Sequence, residues 1–79
     1  MSELKDPIEL YIIDKVRIMR EKQGISQKEL SLRLNFSEGF VGHVENTKRR
    51  DKYNLRHLNE LARIFKCSPK DFLPDKPLS

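Results

Sequence analysis

The sequence predicts an all-α fold, a compact bundle of five short helices, from three observations. Polar capping residues precede apolar residues at three- and four-residue spacing in several places along the chain. No alternating run of β-branched residues is present, and no Asn-Gly or Asp-Gly pair marks a hairpin turn. The chain has 79 residues, of which 37% are hydrophobic, and this suits one small core. We therefore expect one domain over residues 1–79, with its core within about 7–74 and a tail at 75–79.

The first helix is predicted to begin at an Asp-Pro-Ile-Glu stretch. Asp6 is the expected N-cap, Pro7 takes the first helical position, and Glu9 lies three residues after the cap. One buried stripe is expected from apolar residues at spacings of four, four and three: Ile8, Ile12, Val16 and Met19. Gly24 is expected to end this helix in a left-handed conformation.

The second helix is predicted from the Ser-Gln-Lys-Glu stretch. Ser26 is its expected N-cap, and Glu29 is expected to close a capping box. Leu30 and Leu34 are expected to form its buried side. Asn35 then turns a corner, since Asn tolerates positive φ.

Three further helices complete the predicted bundle. The third runs from its cap at Ser37 to Glu45, Asn54 caps the fourth, and a Ser-Pro-Lys-Asp stretch beginning at Ser68 opens a brief fifth. The residues expected to face the core are Val41 and Val44 in the third helix, Leu55, Leu58, Leu61, Ala62 and Phe65 in the fourth, and Phe72 and Leu73 in the fifth.

The segment 46–54 has no apolar period and is expected to be a basic loop. It carries four cations: Lys48, Arg49, Arg50 and Lys52. The whole chain has a net charge of +4 and an isoelectric point near 9.4. Such a charge favours a polyanionic partner. A solvated loop that contacts no partner is the alternative.

Several classes of protein are not supported by the sequence. No run of 18 or more apolar residues is present, so we expect no membrane span. The first ten residues lack the basic and apolar regions of a signal peptide. Cys67 is the single cysteine and cannot form an internal disulfide, so these features together favour a cytoplasmic location.

No catalytic or metal-binding pattern is found. His43 and His57 lie on different predicted helices, and neither has metal-ligand spacing with Cys67. The sequence has no Gly-rich phosphate loop, no Gly-x-Ser-x-Gly stretch and no paired-carboxylate site. Cys67 is expected in the core. We therefore predict no enzyme activity, no metal and no cofactor.

Three stretches together resemble the lambda-repressor-like (xenobiotic-response-element, Cro/C1-type) helix-turn-helix family. They are GISQKELSLRL, SEGFVGHVEN and, after the basic loop, LNELARIFKCSPKDFL. The resemblance covers about residues 12–73, and its most specific part is the Gly-x-Ser-Gln-x-Glu-Leu opening of the second helix. It implies a small transcriptional regulator, with repression as the expected role. Its third helix would enter the major groove of double-stranded DNA, while the second crosses the phosphate backbone.

The resemblance also implies which residues contact DNA, where phosphate contacts supply affinity and base contacts supply sequence choice. The expected phosphate contacts are Gln27, at the start of the second helix, and Asn46, Lys48, Arg49, Arg50 and Lys52 after the third. The base-reading positions hold Ser37, Glu38, Gly39, Phe40, Gly42 and His43. Arg20 and Glu45 match an internal ion pair that fixes the third helix against the core.

The third helix is unusual because Gly39 and Gly42 have no side chain with which to read bases. One account is that its backbone lies deep in the groove, so that shape and methyl contacts carry the readout. Another is that the helix faces a protein partner through Glu38 and Phe40, as in a protein-interaction module or an antitoxin. Phe40 has three open roles: a thymine methyl contact, packing on a neighbouring helix, or contact with a partner chain. Gln27 and the basic loop favour DNA.

The sequence leaves the oligomeric state open between a homodimer and a monomer. The first helix carries apolar residues beside its buried stripe: Leu10, Tyr11, Ile13 and Ile18. Some of these can form a two-fold interface, with Phe72, Leu73 and Leu78 as rival candidates. Relatives bind paired half-sites as dimers about one DNA turn apart, whereas packing within the monomer is the alternative.

Overall fold

The computed structural model describes residues 4–79, which form four α-helices and one 3₁₀ turn. The helices are α1 (Pro7–Lys22), α2 (Gln27–Arg33), α3 (Phe40–Glu45) and α4 (Leu55–Phe65), and the 3₁₀ turn is Pro69–Phe72. No strand occurs between residues 4 and 79. The all-α fold is therefore as predicted, while the fifth predicted helix is a 3₁₀ turn and the α-helices in this part of the chain number four. Within the same residues, no helix is both long enough and apolar enough to cross a membrane.

The boundaries of α1 agree with the sequence prediction. The Glu9 carboxylate accepts a hydrogen bond from the Asp6 backbone N–H at 2.8 Å, and Pro7 is the first helical residue. Gly24 has a φ of +69° just beyond the other end. A residue without a Cβ adopts this left-handed conformation at low cost, which turns the chain sharply towards α2.

The start of α2 is capped, although not by the full capping box that was predicted. Ser26 Oγ accepts from the Glu29 backbone N–H at 3.0 Å. The Glu29 carboxylate contacts Arg33 at 2.5 Å, one helical turn further on, and so does not return to the cap. Asn35 has a φ of +64° after α2, and the corner is therefore made as expected.

Helix α3 is shorter than the predicted span of 37–45. Residues 38 and 39 form a turn, in which the Phe40 N–H donates to the Ser37 carbonyl at 3.1 Å. The first α-helical bond joins His43 N–H to the Gly39 carbonyl at 3.0 Å. Gly39 thus lies at the helix boundary, where a glycine costs less than in the helix interior. The helix itself has six residues.

One hydrophobic cluster joins the helices. Its buried members are Ile12, Ile13, Val16, Ile25, Leu30, Leu34, Val41, Val44, Tyr53, Leu58, Leu61, Ala62, Phe65 and Phe72, with Met19 and Cys67 among those packed at its edge. Most of the predicted core residues belong to it. Ile13 was expected beside the stripe of α1 but is buried within this core.

Three residues predicted to be buried are exposed. Ile8 is 42%, Leu55 82% and Leu73 38% exposed. Ile8 and Leu55 lie in the first turns of α1 and α4, which the packing elements leave uncovered. Leu73 follows Phe72, which is fully buried, and the chain leaves the core at this point. Helical spacing predicted correctly which face of each helix is buried, but not the residue at which that face becomes exposed.

A buried serine joins α2 to α3. Ser31 Oγ accepts from the Val41 backbone N–H at 2.9 Å and donates to the Gln27 carbonyl at 2.8 Å. Val41 lies in the first turn of α3, where a backbone N–H has no partner within the helix. Ser31 therefore satisfies that group and fixes the angle at which α3 leaves the corner.

Candidate nucleic-acid interface

A carboxylate at the end of α3 ties this helix to α1. Glu45 forms two parallel hydrogen bonds with the Arg20 guanidinium, from Nε at 3.0 Å and from Nη2 at 2.9 Å. Arg20 Nη1 also donates to the Ile25 carbonyl at 2.9 Å. The Arg20 and Glu45 side chains are 9% and 5% exposed. A buried bidentate pair of this kind holds α3 in one orientation relative to the core.

The same carboxylate also fixes Gln27 at the start of α2. Gln27 Nε2 donates to Glu45 Oε1 at 2.8 Å. A side-chain amide carries two N–H donors, so the second remains available to another acceptor. The phosphate contact expected of Gln27 stays a prediction.

The two glycines of the segment 37–45, Gly39 and Gly42, differ in their structural roles. A Cβ added to Gly42 would lie 3.2 Å from Gln27 Oε1, so the missing side chain lets Gln27 cross α3 towards Glu45. A Cβ on Gly39 would meet only His43, at an ordinary 3.5 Å. Gly39 also has negative φ. Packing between α2 and α3 therefore accounts for Gly42 but not for Gly39.

Phe40 is partly buried and packs against neighbouring aromatic side chains. Its ring centroid lies 4.5 Å from that of Phe36, 5.3 Å from His57 and 6.1 Å from Tyr53. We call these four residues the aromatic cluster. Three roles were left open for Phe40, and the one observed in the structure is packing on neighbouring elements. Phe40 is half-buried in this position.

His57 links the aromatic cluster to the start of α4. Its Nδ1 accepts from the Asn54 backbone N–H at 3.0 Å, while Asn54 Oδ1 accepts from the His57 N–H at 2.8 Å. Histidine thus takes the place that Glu or Gln has in a capping box. Burial lowers the pKa of His57, and the nearby Arg56 charge lowers it further. Both effects favour the neutral imidazole, which has the acceptor that the cap needs.

The segment 37–46 exposes four polar side chains, those of Ser37, Glu38, His43 and Asn46. The Glu38 carboxylate lies 3.7 Å from Lys28 Nζ on α2, and both side chains are largely in solvent. Such a pair contributes little stability. It does place a positive charge beside a carboxylate that would otherwise repel a phosphate.

Two of the four cations of the basic loop form ion pairs within residues 4–79, and the other two do not. Arg49 Nε lies 2.8 Å from Asp51 Oδ1, and Lys52 Nζ lies 2.8 Å from Glu9 Oε2 on α1. These contacts lower the pKa values of the two carboxyl groups, with the hydrogen bond as the largest cause. Lys48 and Arg50 are exposed and form no ion pair within residues 4–79. The loop therefore offers two uncompensated positive charges.

The structure reveals two residues near the site that the sequence reasoning missed. Lys5 is 3% exposed and donates from Nζ to the carbonyls of Val44 at 2.5 Å and Asn46 at 3.0 Å. Tyr53 is 7% exposed, and its hydroxyl has no hydrogen-bond partner within residues 4–79. Burial raises the pKa of that hydroxyl. An aromatic residue in an otherwise polar loop was the available signal for Tyr53, whereas no local pattern pointed to Lys5.

The site has no arrangement suited to metal binding. Within residues 4–79, no group of three His, Cys, Asp or Glu side chains is placed to hold a metal ion. Cys67 is half-buried at the edge of the core, and burial raises the pKa of its thiol. A raised thiol pKa disfavours the thiolate that nucleophilic or ligand chemistry requires.

Comparison with known proteins identifies the family. No curated protein matches the chain. The crystal structure of a hypothetical transcription factor NHTF from Neisseria is similar, with a TM-score of 0.74 and 22% identity over 94% of this chain and 85% of that one. At this identity the likeness shows a shared fold. The family model described as "Cro/C1-type HTH DNA-binding domain" matches residues 15–77. This match confirms the resemblance seen in the sequence. The chain belongs to the Cro/C1-type helix-turn-helix family of DNA-binding domains.

Proposed function

We propose that the chain binds double-stranded DNA sequence-specifically and acts as a small transcriptional regulator, with repression as the expected role. In this proposal α3 and the turn before it, residues 37–45, enter the major groove, and the loop 46–53 follows the phosphates. The observation that carries the proposal is the Arg20–Glu45–Gln27 network. It holds α3 against α1 and α2 before any DNA is present, and prior ordering of a binding surface reduces the entropy cost of association.

The phosphate contacts are expected to come from a subset of the predicted cations. Lys48 and Arg50 are uncompensated, whereas a phosphate must compete with a carboxylate at 2.8 Å for Arg49 and for Lys52. Each neutralised phosphate contributes about 0.9 to the slope of log affinity against log salt concentration. We therefore expect the loop to contribute a salt slope nearer to that of two phosphate contacts than to that of four.

Base reading in this proposal rests on few side chains. His43 is exposed and can donate to a guanine, and Glu38 can accept from a cytosine N4 amine. Ser37 can reach a base edge or a phosphate. Gly42 and Phe40 are used in internal packing, so sequence-dependent DNA shape is expected to supply part of the selectivity.

The alternative function is a protein-interaction module or an antitoxin whose third helix contacts a protein. That alternative relied on Glu38 and Phe40 as one surface. Phe40 is half-buried and packs in the aromatic cluster, which leaves less of its ring for a partner, and aromatic anchors dominate most protein interfaces. DNA binding is therefore the better supported function. An antitoxin that represses its own operon would also bind DNA through the surface proposed above.

The test is selection of bound fragments from a random duplex DNA pool at near-physiological salt. Enrichment of one short site supports the proposal, and a two-fold symmetric site would also indicate a dimer. The double variant K48A/R50A is expected to lower the salt slope by about 1.8, from two contacts of about 0.9 each. The double variant K70A/K76A removes the same charge outside the proposed interface and is expected to leave the slope unchanged. Absence of any DNA binding by the wild type refutes the proposal.

A further inference from the structure

Lys5 is a buried cation placed just before α1. Only 3% of the residue is exposed, and its burial lowers the pKa of the ammonium group. Lysine is almost never buried this fully unless it is paired. Its partners are two backbone carbonyls, those of Val44 and Asn46, at 2.5 and 3.0 Å. These two bonds hold the side chain against the carboxyl end of α3, at residues that are 39 and 41 positions away in sequence.

These two carbonyls belong to the end of α3 and to the start of the basic loop. The last carbonyls of a helix have no partner within it, and a cation near them is favourable. The Val44 carbonyl lies in the last turn of α3, and Asn46 is its C-cap. The Asn46 carbonyl also accepts from the Arg49 N–H at 3.1 Å, which begins the loop turn. Lys5 thus contacts the junction at which the two halves of the proposed DNA surface meet.

A second contact links the same part of the chain to the basic loop. Glu9 in the first turn of α1 lies 2.8 Å from Lys52 Nζ and also accepts from the Asp6 backbone N–H. Lys5 and Glu9 therefore contact opposite ends of the segment 46–52. Residues 5–9 act together as a support behind this segment.

We propose that Lys5 is a positioning residue for DNA recognition, whose ammonium group sets the carboxyl end of α3 and the start of the basic loop relative to α1. Lys5 itself contacts no DNA, since its Nζ is buried against the two carbonyls. Its loss would let α3 and the loop move relative to each other, so that base contacts and phosphate contacts no longer form in one register. The inference rests on the proposed DNA-binding function.

The variant K5M tests the proposal because methionine keeps an apolar stem and removes the charge and the donors. Affinities for the selected site and for random duplex are measured at several salt concentrations. K5M is expected to lose roughly tenfold more affinity for the selected site than for random DNA, comparable to one mismatched base pair. Its salt slope is expected to match the wild type. K5R retains cationic donors and is expected to restore most of the selectivity, while K70M, a control of equal charge change, keeps it in full.

Two results would overturn the proposal. A salt slope lower by about 0.9 in K5M would make Lys5 a phosphate contact. Unchanged selectivity in K5M would show that the junction needs no positioning. Should K5M not fold, as judged by circular dichroism, K5Q is measured in its place. Glutamine retains two N–H donors without the charge, and it is expected to show a smaller loss of selectivity with the same slope.

Amide hydrogen exchange of the free protein separates this inference from the proposed function. The amides of Asn46, Lys48 and Arg49 all form bonds at the junction, to acceptors on His43 and Asn46. They are expected to exchange faster in K5M than in K70M, with exchange in α4 unchanged. Equal exchange in the two variants would refute the positioning role. If the wild type binds no DNA but these amides are deprotected in K5M, the proposed function fails while the structural role of Lys5 stands.

Discussion

Replacing Glu45 by alanine is the most informative single change to this fold. The substitution removes both carboxylate oxygens that accept from the Arg20 guanidinium, whose side chain is 9% exposed. It leaves that charge with the Ile25 carbonyl and with the half-exposed Glu21 carboxylate at 3.7 Å. It also releases the Gln27 amide. The Gln27 side chain lies at the surface, where water can replace the lost contact, so its contribution to the free energy of unfolding is expected to be small.

The cost of E45A can be set against the stability of the whole domain. Breaking one partner of a buried ion pair costs about 3–5 kcal/mol, because the surviving charge stays buried. A chain of this length is expected to have a free energy of unfolding of about 4–12 kcal/mol. E45A is therefore expected to remove about a quarter or more of the total stability. Since α3 is held through this pair, DNA binding is expected to weaken as well.

Urea unfolding followed by circular dichroism at 222 nm measures the effect, with E29A as the control. Glu29 pairs with Arg33 one turn along α2, and both side chains are about half exposed, so its loss is expected to cost about 0.2–0.5 kcal/mol. If E45A lowers the free energy of unfolding by no more than about 1 kcal/mol beyond E29A, the reasoning is contradicted, because solvent would then stabilise the Arg20 charge as well as Glu45 does. Replacing both partners, as in R20M/E45L, is expected to recover part of the loss. The recovery is incomplete because the Ile25 carbonyl still lacks its donor.

Three further predictions concern the aromatic cluster and the α2–α3 contact. Y53F removes a buried hydroxyl that has no partner among the described residues and is expected to change the free energy of unfolding by between zero and about +1 kcal/mol; a clear loss in urea unfolding would mean that the hydroxyl has a partner in solution. Because the folded-state pKa of His57 is lowered, its contribution to stability is present above the unfolded value of about 6.5 and is lost as the pH falls through the folded-state pKa. The stability difference between wild type and H57Q, which can still cap α4, is expected to shrink below pH 6.5, and a constant difference from pH 7.5 to 5 would contradict this. G42A gains up to about 1 kcal/mol of helix propensity but crowds Gln27 Oε1, so we expect near-wild-type stability with weaker DNA binding, and equal affinity would show that the position of Gln27 is unimportant.

Local chemistry made most of the helix boundaries predictable from the sequence. Ser26, Asn54 and Ser68 each precede a helical segment and accept a hydrogen bond from a backbone N–H inside it, and such caps act within a few residues of chain. Positive φ at Gly24 and Asn35 follows from the backbone preferences of those residue types.

The features that the sequence did not predict depend on contacts between distant residues. Whether Leu55 is buried depends on where α4 extends past its neighbours. Lys5 would be assigned to solvent by any local rule, and its burial follows from two carbonyls that become acceptors only after α3 has packed on α1. Phe40 fits helical patterns on either face, and the position of Phe36 after the Asn35 corner decides between them. In the candidate site the ion-pairing residues were foreseen through the family pattern, while the pairing of Arg49 and Lys52 with carboxylates was not.

Because α3 is short, one copy of the protein can contact only a few base pairs in the proposed binding mode. Six helical residues span about 9 Å at about 1.5 Å each, and stacked base pairs are about 3.4 Å apart. In the proposed binding mode, one copy would therefore face about three base pairs, or about four with the preceding turn. At about 1–3 kcal/mol for each discriminated base pair, so short a window selects a site weakly among the 10⁶ or more competing sites of a genome. Two copies on adjacent half-sites would double the inspected length, and the selected DNA site should reveal this as a repeated short motif about one helical turn apart.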